Sequence, residues 1–118
     1  MRTADLTGAQ LDYHTARAEG VPAADLEIRA TGTLCVRNMP PLEGHAIGML
    51  LVLDYSTNWA LSGPLVEKHG MGLIPNRQEW TSMRGGVGAT AGPTPLIAIC
   101  LAVVRAAFGD EVEDLPCA

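Results

Sequence analysis

The clearest pattern along the chain is a run of apolar residues near its end, with helix signals on both sides. Residues 95–108 are apolar except for Arg105. Thr94 can cap the first turn, Pro95 suits the first helical position, and Gly109 favours a helix end. A helix that is apolar all round is normally buried all round. We therefore predict a long final helix that lies between the sheet and another helix, or in a subunit interface.

A second helix is predicted near the beginning of the chain. Thr7 and Gln10 have the spacing of a capping box, and Leu6 and Leu11 flank it as a hydrophobic staple. We expect the helix over residues 8–19, because the next residue is a glycine and glycine accepts the left-handed geometry of a helix end.

Five short segments have the composition of strands, and Gly or Pro lies in the turns between them. The predicted strands cover residues 26–30, 33–37, 47–53, 71–74 and 79–83. The third is continuously apolar, which predicts a central strand buried on both faces. Gly32 is expected in one hairpin turn, and Pro75 and Asn76 in another. Residues 84–92 hold four glycines and are predicted as a flexible loop.

The central part of the chain combines helix and turn signals. The small oxygen-bearing side chains of residues 54–57 can cap a helix that starts near Asn58. Pro64 fits best in the first turn of a helix. We therefore predict a short helical turn over residues 59–61 and a separate helix over residues 64–69.

Together these elements predict an α+β fold. It has an N-terminal helix, a small antiparallel sheet of four to five strands, a short central helix and a long C-terminal helix packed on the sheet. The chain has 118 residues, which suits one domain. We assign residues 1–109 to a single α+β domain and residues 110–118 to an acidic C-terminal tail that is expected to fray.

Charge and composition disfavour several classes of function. The net charge is −5 and the eight Lys and Arg residues are scattered singly, which disfavours nucleic-acid binding. The longest apolar stretch, residues 95–107, is shorter than the ~20 residues of a membrane span. The chain does not open with a signal-peptide layout, and its three cysteines form no close pair. We therefore expect a cytoplasmic protein with reduced thiols.

Motifs for catalysis, cofactors or metals are weak. Residues 86–91 loosely match the glycine pattern of a dinucleotide-binding loop, but a poor strand precedes them and the next helix starts too late to receive a phosphate. The histidines, His14, His45 and His69, are widely separated, and no Cys-x-x-Cys pair is present, so no metal site is predicted. We predict no cofactor and no catalytic residue.

The densest group of polar and aromatic side chains lies between residues 54 and 67, and we call this segment the corner. Its candidate binding residues are Asp54, Tyr55, Ser56, Trp59, Pro64 and Glu67. One interpretation is a ligand or peptide cleft at a strand end. The other, which we favour, is structural: Asp54 and Ser56 bond free amides, while Tyr55 and Trp59 fill the core.

Several motifs resemble those of a known family. Residues 54–60, 63–68 and 93–98 are similar to the recurring segments of the NinX-like proteins of phages and prophages, and residues 6–8 and 16–20 also fit. The resemblance covers most of the chain. It implies a phage or prophage accessory protein, from a family named for an accessory region of lambda-like genomes, with no established activity.

The resemblance also selects individual positions. The family's recurring residues map onto Tyr55, Trp59, Gly63, Pro64 and Glu67. Only the positions carry over, because the resemblance implies no role for them. Gln10 departs from the pattern, since several relatives have an aliphatic residue there.

These observations leave two main hypotheses. The first is a non-enzymatic phage accessory protein that binds a phage or host protein and forms a homo-oligomer, which the apolar final helix and the missing catalytic pattern favour. The second is a small-molecule binder or minor enzyme that uses the corner, which requires Tyr55, Ser56, Trp59 and Glu67 to converge in a cleft. Nucleic-acid binding is a third reading, which the charge argues against.

Overall fold

A computed structural model describes residues 1–29, 32–36, 51–84 and 88–113. Within these ranges the chain forms three α-helices and two antiparallel sheets of three strands each. The helices are α1 (Gly8–Ala18), α2 (Trp59–His69) and α3 (Pro95–Phe108). The α+β class is confirmed, but the predicted single sheet is wrong, since the strands divide into two sheets.

The first sheet contains β1 (Leu26–Ile28), β2 (Leu34–Val36) and β3 (Leu51–Val52), in that order. The predicted hairpin between β1 and β2 is confirmed, and Gly32 adopts a φ of 81° in its turn. The third strand was expected to be central and buried on both faces. It instead lies at an edge of this sheet with the side chain of Val52 43% exposed, because it pairs only with β2 among the described strands. Residues 47–50 of that predicted strand lie outside the described residues.

The second sheet contains β4 (Met71–Asn76), β5 (Glu79–Arg84) and β6 (Gly88–Gly92), with β5 in the centre. The predicted turn at Pro75 and Asn76 is wrong. Pro75 is paired with Trp80, and Arg77 makes the turn with a φ of 34°.

The predicted flexible loop is also wrong over residues 88–92, which form β6 and pair with residues 80–84 of β5. Residues 85–87 lie outside the described residues. Because the chain is in a strand at residues 88–91 and α3 begins only at Pro95, the loose dinucleotide pattern is not followed by the helix start that would receive a phosphate.

Helix α3 is the centre of the core and confirms the predicted bounds. Thr94 Oγ1 accepts a hydrogen bond from Ile97 N at 3.2 Å, as an N-cap does. The helix contacts α1, α2, β5 and β6, so it lies between the second sheet and the other helices. Its long buried run consists of Leu96, Ala98, Ile99, Cys100, Leu101, Ala102, Val103 and Val104.

The second sheet approaches α3 closely on one face. Ser82 is fully buried, and its Oγ donates to the carbonyl of Ala98 at 2.8 Å. A Cβ atom on Gly92 would lie 2.8 Å from the backbone nitrogen of Ala98. Gly92 is therefore the residue that lets β6 lie against the first turn of α3.

Helix α1 has the predicted span but not the predicted cap. The side chain of Thr7 makes no capping hydrogen bond, because Gly8 enters the helix with a φ of 57° and the capping-box geometry is not formed. Leu6 and Leu11 are both buried in the core cluster, as a hydrophobic staple requires.

Helix α2 is continuous, although a break before Pro64 was predicted. Proline removes the hydrogen bond to the carbonyl four residues earlier, that of Ala60. Ala60 and Pro64 are both exposed, so water can solvate that carbonyl. Gly63 has no Cβ to clash with the proline ring, which relieves the usual restriction on the residue before proline. Gly70 ends the helix with a φ of 62°.

The two ends of the described chain pair with each other. Thr3 N donates to Asp110 O at 2.8 Å, and Arg2 and Glu111 form an antiparallel bridge. The expected fraying of the tail is therefore wrong for residues 110–112, whereas residues 114–118 lie outside the described residues. The division into a domain and a tail stays a prediction. Among the described residues, no helix combines the length and apolar character that crossing a membrane requires.

Candidate functional site

The corner begins as a tight turn that follows β3. Thr57 N donates to Asp54 O at 3.0 Å, which closes the turn. Asn58 then caps α2, because its Oδ1 accepts a hydrogen bond from Ala60 N at 2.9 Å. Its Nδ2 donates to Asp54 Oδ1 at 3.1 Å. Asp54 thus accepts from a side-chain amide, whereas the structural interpretation of the corner expected it to bond a free backbone amide.

A carboxyl group of α1, that of Asp12, binds the backbone of the corner. Asp12 Oδ1 accepts a hydrogen bond from the backbone N–H of Ser56 at 2.7 Å, and both residues are buried. Burial raises the pKa of Asp12, although the hydrogen bonds from Ser56 act in the opposite direction. Asp54 raises it further by charge repulsion. No local sequence pattern predicts this contact, because Asp12 lies 44 residues before its partner.

A buried polar contact joins the corner to α2 and α3. Ser62 Oγ donates a short hydrogen bond to the carbonyl of Tyr55 and lies 3.6 Å from Cys100 Sγ. Burial raises the pKa of Cys100 to about 11, so its thiol is protonated at neutral pH. Burial also raises the pKa of Tyr55. Neither group has the lowered pKa of an activated nucleophile, which requires a neighbouring base or positive charge.

The outward side of α2 is different in character, and we call it the exposed α2 face. It consists of Trp59, Ala60, Gly63, Pro64, Glu67 and Lys68, of which only Gly63 is half-buried. The Trp59 side chain is 53% exposed. A Cβ atom on Gly63 would lie 3.9 Å from Trp59 Cε3, so the indole lies across the glycine one turn along the helix. The face therefore presents a large aromatic surface on a rigid helix.

The six candidate binding residues thus divide into two groups. Tyr55 and Ser56 are buried beneath the turn, whereas Trp59, Pro64 and Glu67 lie on the exposed α2 face. Asp54 is half-buried between them. The structural interpretation of the corner expected Trp59 in the core, and this is wrong, because its side chain is 53% exposed while Ser62 and Leu65 are the buried residues of α2.

The histidines are separated in space as well as in sequence. His14 is buried beside Phe108, with a ring separation of 6.4 Å, and burial lowers its pKa. His69 Nε2 lies 3.0 Å from Glu19 Oε2. His45 lies outside the described residues. In the parts of the chain that the structure describes, no group of three or more His, Cys, Asp or Glu side chains could hold a metal ion.

Comparison with known proteins agrees with the motifs of the corner. A search among curated proteins found no match. The model of one protein family, described as bacteriophage P22 NinX, matches residues 2–106. This match includes the turn after β3, the exposed α2 face and most of α3. The chain therefore belongs to the NinX family of phage proteins.

Proposed function

We propose that this phage protein is a non-enzymatic protein-binding module that uses the exposed α2 face to bind a phage or host protein. The observation that carries the proposal is Trp59, which is 53% exposed on a helix that the core holds in place. Tryptophan is enriched among the residues that contribute most to protein–protein binding. A rigid helix also lowers the entropy lost on association.

The chemistry around Trp59 supports a protein partner. Pro64, five residues further along α2, is also exposed and apolar, and Glu67 and Lys68 provide charges of both signs at the far end of the face. Protein interfaces combine such aromatic residues with polar and charged residues at the edge of the contact. The backbone before the face is held by Asp12 and Asn58, so binding need not order it.

The alternative, a small-molecule binder or minor enzyme at the corner, requires Tyr55, Ser56, Trp59 and Glu67 to converge. The buried position of Tyr55 and Ser56 and the exposed position of Trp59 and Glu67 favour protein binding instead. The proposal includes a location in the host cytoplasm. The free, buried thiols of Cys35 and Cys100 support a reducing compartment.

The test compares proteins that co-purify with three forms of the chain from phage-infected cells. Trp59→Ala removes the indole, and Phe108→Ala removes an exposed aromatic at the end of α3 as a matched control. We expect wild type and Phe108→Ala to retain one common protein that Trp59→Ala loses, with purified components repeating the result. Equal retention by all three forms, or no retained protein, would contradict the proposal.

A further inference from the structure

The outer face of the second sheet carries two of the exposed large apolar side chains of the described residues, Ile74 and Met83. Strand pairing places its residues in two rows: Gly72, Met83 and Ala89 in the first, and Ile74, Thr81 and Ala91 in the second. Ile74 and Met83 are 48% and 47% exposed. We call these six residues the outer sheet face.

This face is turned away from the core. Ser82 and Gly92, on the opposite face of the same strands, are the residues that meet α3. Alternate residues of a strand point to opposite sides, so the two rows face away from α3. Isolated exposed apolar residues are ordinary, but Ile74 and Met83 lie diagonally across neighbouring strands, and the other residues of the two rows are uncharged.

We propose that the outer sheet face stacks on the same face of a second copy of this chain. Its charge is the first argument. The chain carries a net charge of −5, so two copies repel each other wherever acidic groups meet. The two rows contain no charged residue, and the nearest acidic side chain in the same register is Glu79 at the hairpin end of β5. Two copies can therefore meet over this face without burying a charge.

The arrangement of large and small side chains is the second argument. Consider a two-fold axis that lies in the plane of the contact, runs between the two rows and crosses the strands at right angles. It would place Ile74 opposite Gly72 of the second copy, and Met83 opposite Thr81. Each large side chain then meets a smaller one, as interdigitating sheets require. The same axis keeps the two Glu79 side chains at opposite ends of the contact. An axis parallel to the strands would instead place Glu79 opposite Glu79, so charge favours the perpendicular axis.

The size of the face sets the strength of the contact. Strands lie ~4.8 Å apart and rise ~3.4 Å per residue, so three strands of about five residues offer far less than the ~800 Å² per partner of a standard interface. The dimer is therefore weak and depends on concentration. The dimer uses a different face from the exposed α2 face. The test of the dimer is therefore independent of the function proposed above.

Sedimentation velocity from low micromolar to near-millimolar protein tests the dimer. We expect wild type to shift reversibly from monomer to dimer, and Met83→Lys to stay monomeric because it places a buried charge in each copy. Val52→Lys makes the same charge change on the exposed edge of the first sheet and is expected to dimerise like wild type, as is Trp59→Ala. Should Met83→Lys fail to fold by circular dichroism, Ala91→Lys tests the same face.

Disulfide crosslinking tests the orientation, in a Cys117→Ser background. Oxidising a mixture of Gly72→Cys and Ile74→Cys chains is expected to give the mixed dimer in excess over either self-pair. A wild type that is monomeric throughout would overturn the proposal. So would a Met83→Lys variant that dimerises as Val52→Lys does. If the wild type is monomeric, peroxide oxidation of Met83 shows whether the face is exposed or covered within the chain, and both outcomes overturn the dimer.

Discussion

Asp12 is the side chain on which the conformation of the corner depends most directly. Its Oδ1 accepts the buried backbone N–H of Ser56. We predict that Asp12→Ala lowers the free energy of unfolding by about 1–3 kcal/mol, because it leaves that N–H without an acceptor. Asp12→Asn keeps an oxygen in the same place and is expected to cost less. Urea unfolding of the three proteins at neutral pH measures the difference, and equal stability of Asp12→Ala and Asp12→Asn would contradict the role.

The pH dependence gives a second test of the same residue. Burial raises the pKa of Asp12 above its usual value of 3.8, so folding favours the protonated form. The stability that this carboxyl contributes is present below 3.8 and is lost as the pH rises through the raised pKa. The asparagine variant has no such loss. Its stability relative to wild type is therefore expected to increase with pH above 3.8, and an unchanging difference would contradict the shift.

Cys100 illustrates how burial determines reactivity at a single residue. Its pKa of about 11 leaves only about one part in ten thousand as thiolate at neutral pH, and the side chain is fully buried. We predict that Cys100 is not alkylated in native protein and reacts at the rate of a free thiol once urea unfolds the chain. Mass spectrometry of peptides after timed iodoacetamide treatment locates the label. Rapid native labelling of Cys100 would contradict this prediction.

At the element scale, α2 carries a destabilising residue in its interior. Pro64 lacks the N–H that would bond to Ala60, and a proline inside a helix costs up to ~3 kcal/mol. We predict that Pro64→Ala stabilises the protein by about 1–3 kcal/mol. Thermal unfolding measures the change. Ala60→Ser, on the same exposed side, is the control and is expected to change stability by less than ~0.5 kcal/mol.

A loss of stability in Pro64→Ala would contradict this account of α2. A gain would mean that the proline is not there for stability. The co-purification assay proposed for Trp59 then shows whether Pro64→Ala weakens partner binding while it strengthens the fold, which is the usual opposition between function and stability at binding sites.

The elements that local chemistry specifies were predictable, and those that depend on distant partners were not. Helix α3 was predicted to the residue, because Thr94, Pro95 and Gly109 are strong local signals. Strand β6 was missed, because four of its five residues are Gly or Ala, which are depleted in strands. It forms because β5 pairs with it and because Gly92 fits against α3. The outward direction of Trp59 was also missed, since a break before Pro64 left the phase of α2 undefined.

At the scale of the whole molecule, the class of the fold followed from the sequence and the arrangement did not. The number of helices and the antiparallel pairing were predicted from local patterns. The strands divide into two sheets, and Arg2 forms a bridge with Glu111. Both features depend on contacts between residues that are far apart in sequence. The packing of the whole core determines which strands pair with each other. The residue pattern of one strand contains little information about its partner.

One such long-range contact connects α1 with α2. Glu19 Oε1 lies 2.9 Å from Lys68 Nζ, and Glu19 Oε2 lies 3.0 Å from His69 Nε2. Burial alone would raise the pKa of Glu19, but the hydrogen bonds and positive charge from Lys68 and His69 together lower it. A lowered pKa means that the ionised carboxylate is favoured by folding. Its contribution to stability is therefore present above the usual value of 4.5 and is lost as the pH falls through the lowered pKa.

We predict that Glu19→Gln lowers the free energy of unfolding by about 1–2 kcal/mol at neutral pH, and that the difference from wild type shrinks as the pH falls below 4.5. Glu67→Gln removes the same charge from an exposed position of α2 and is the matched control, with an expected change within ~0.5 kcal/mol. Lys68 is exposed, so its share of the contact should weaken with added salt, whereas the half-buried His69 contact should persist. Urea unfolding over a pH series, at low and high salt, separates the two partners. A Glu19→Gln deficit that stays constant with pH would mean that the carboxylate does not hold the two helices by its charge.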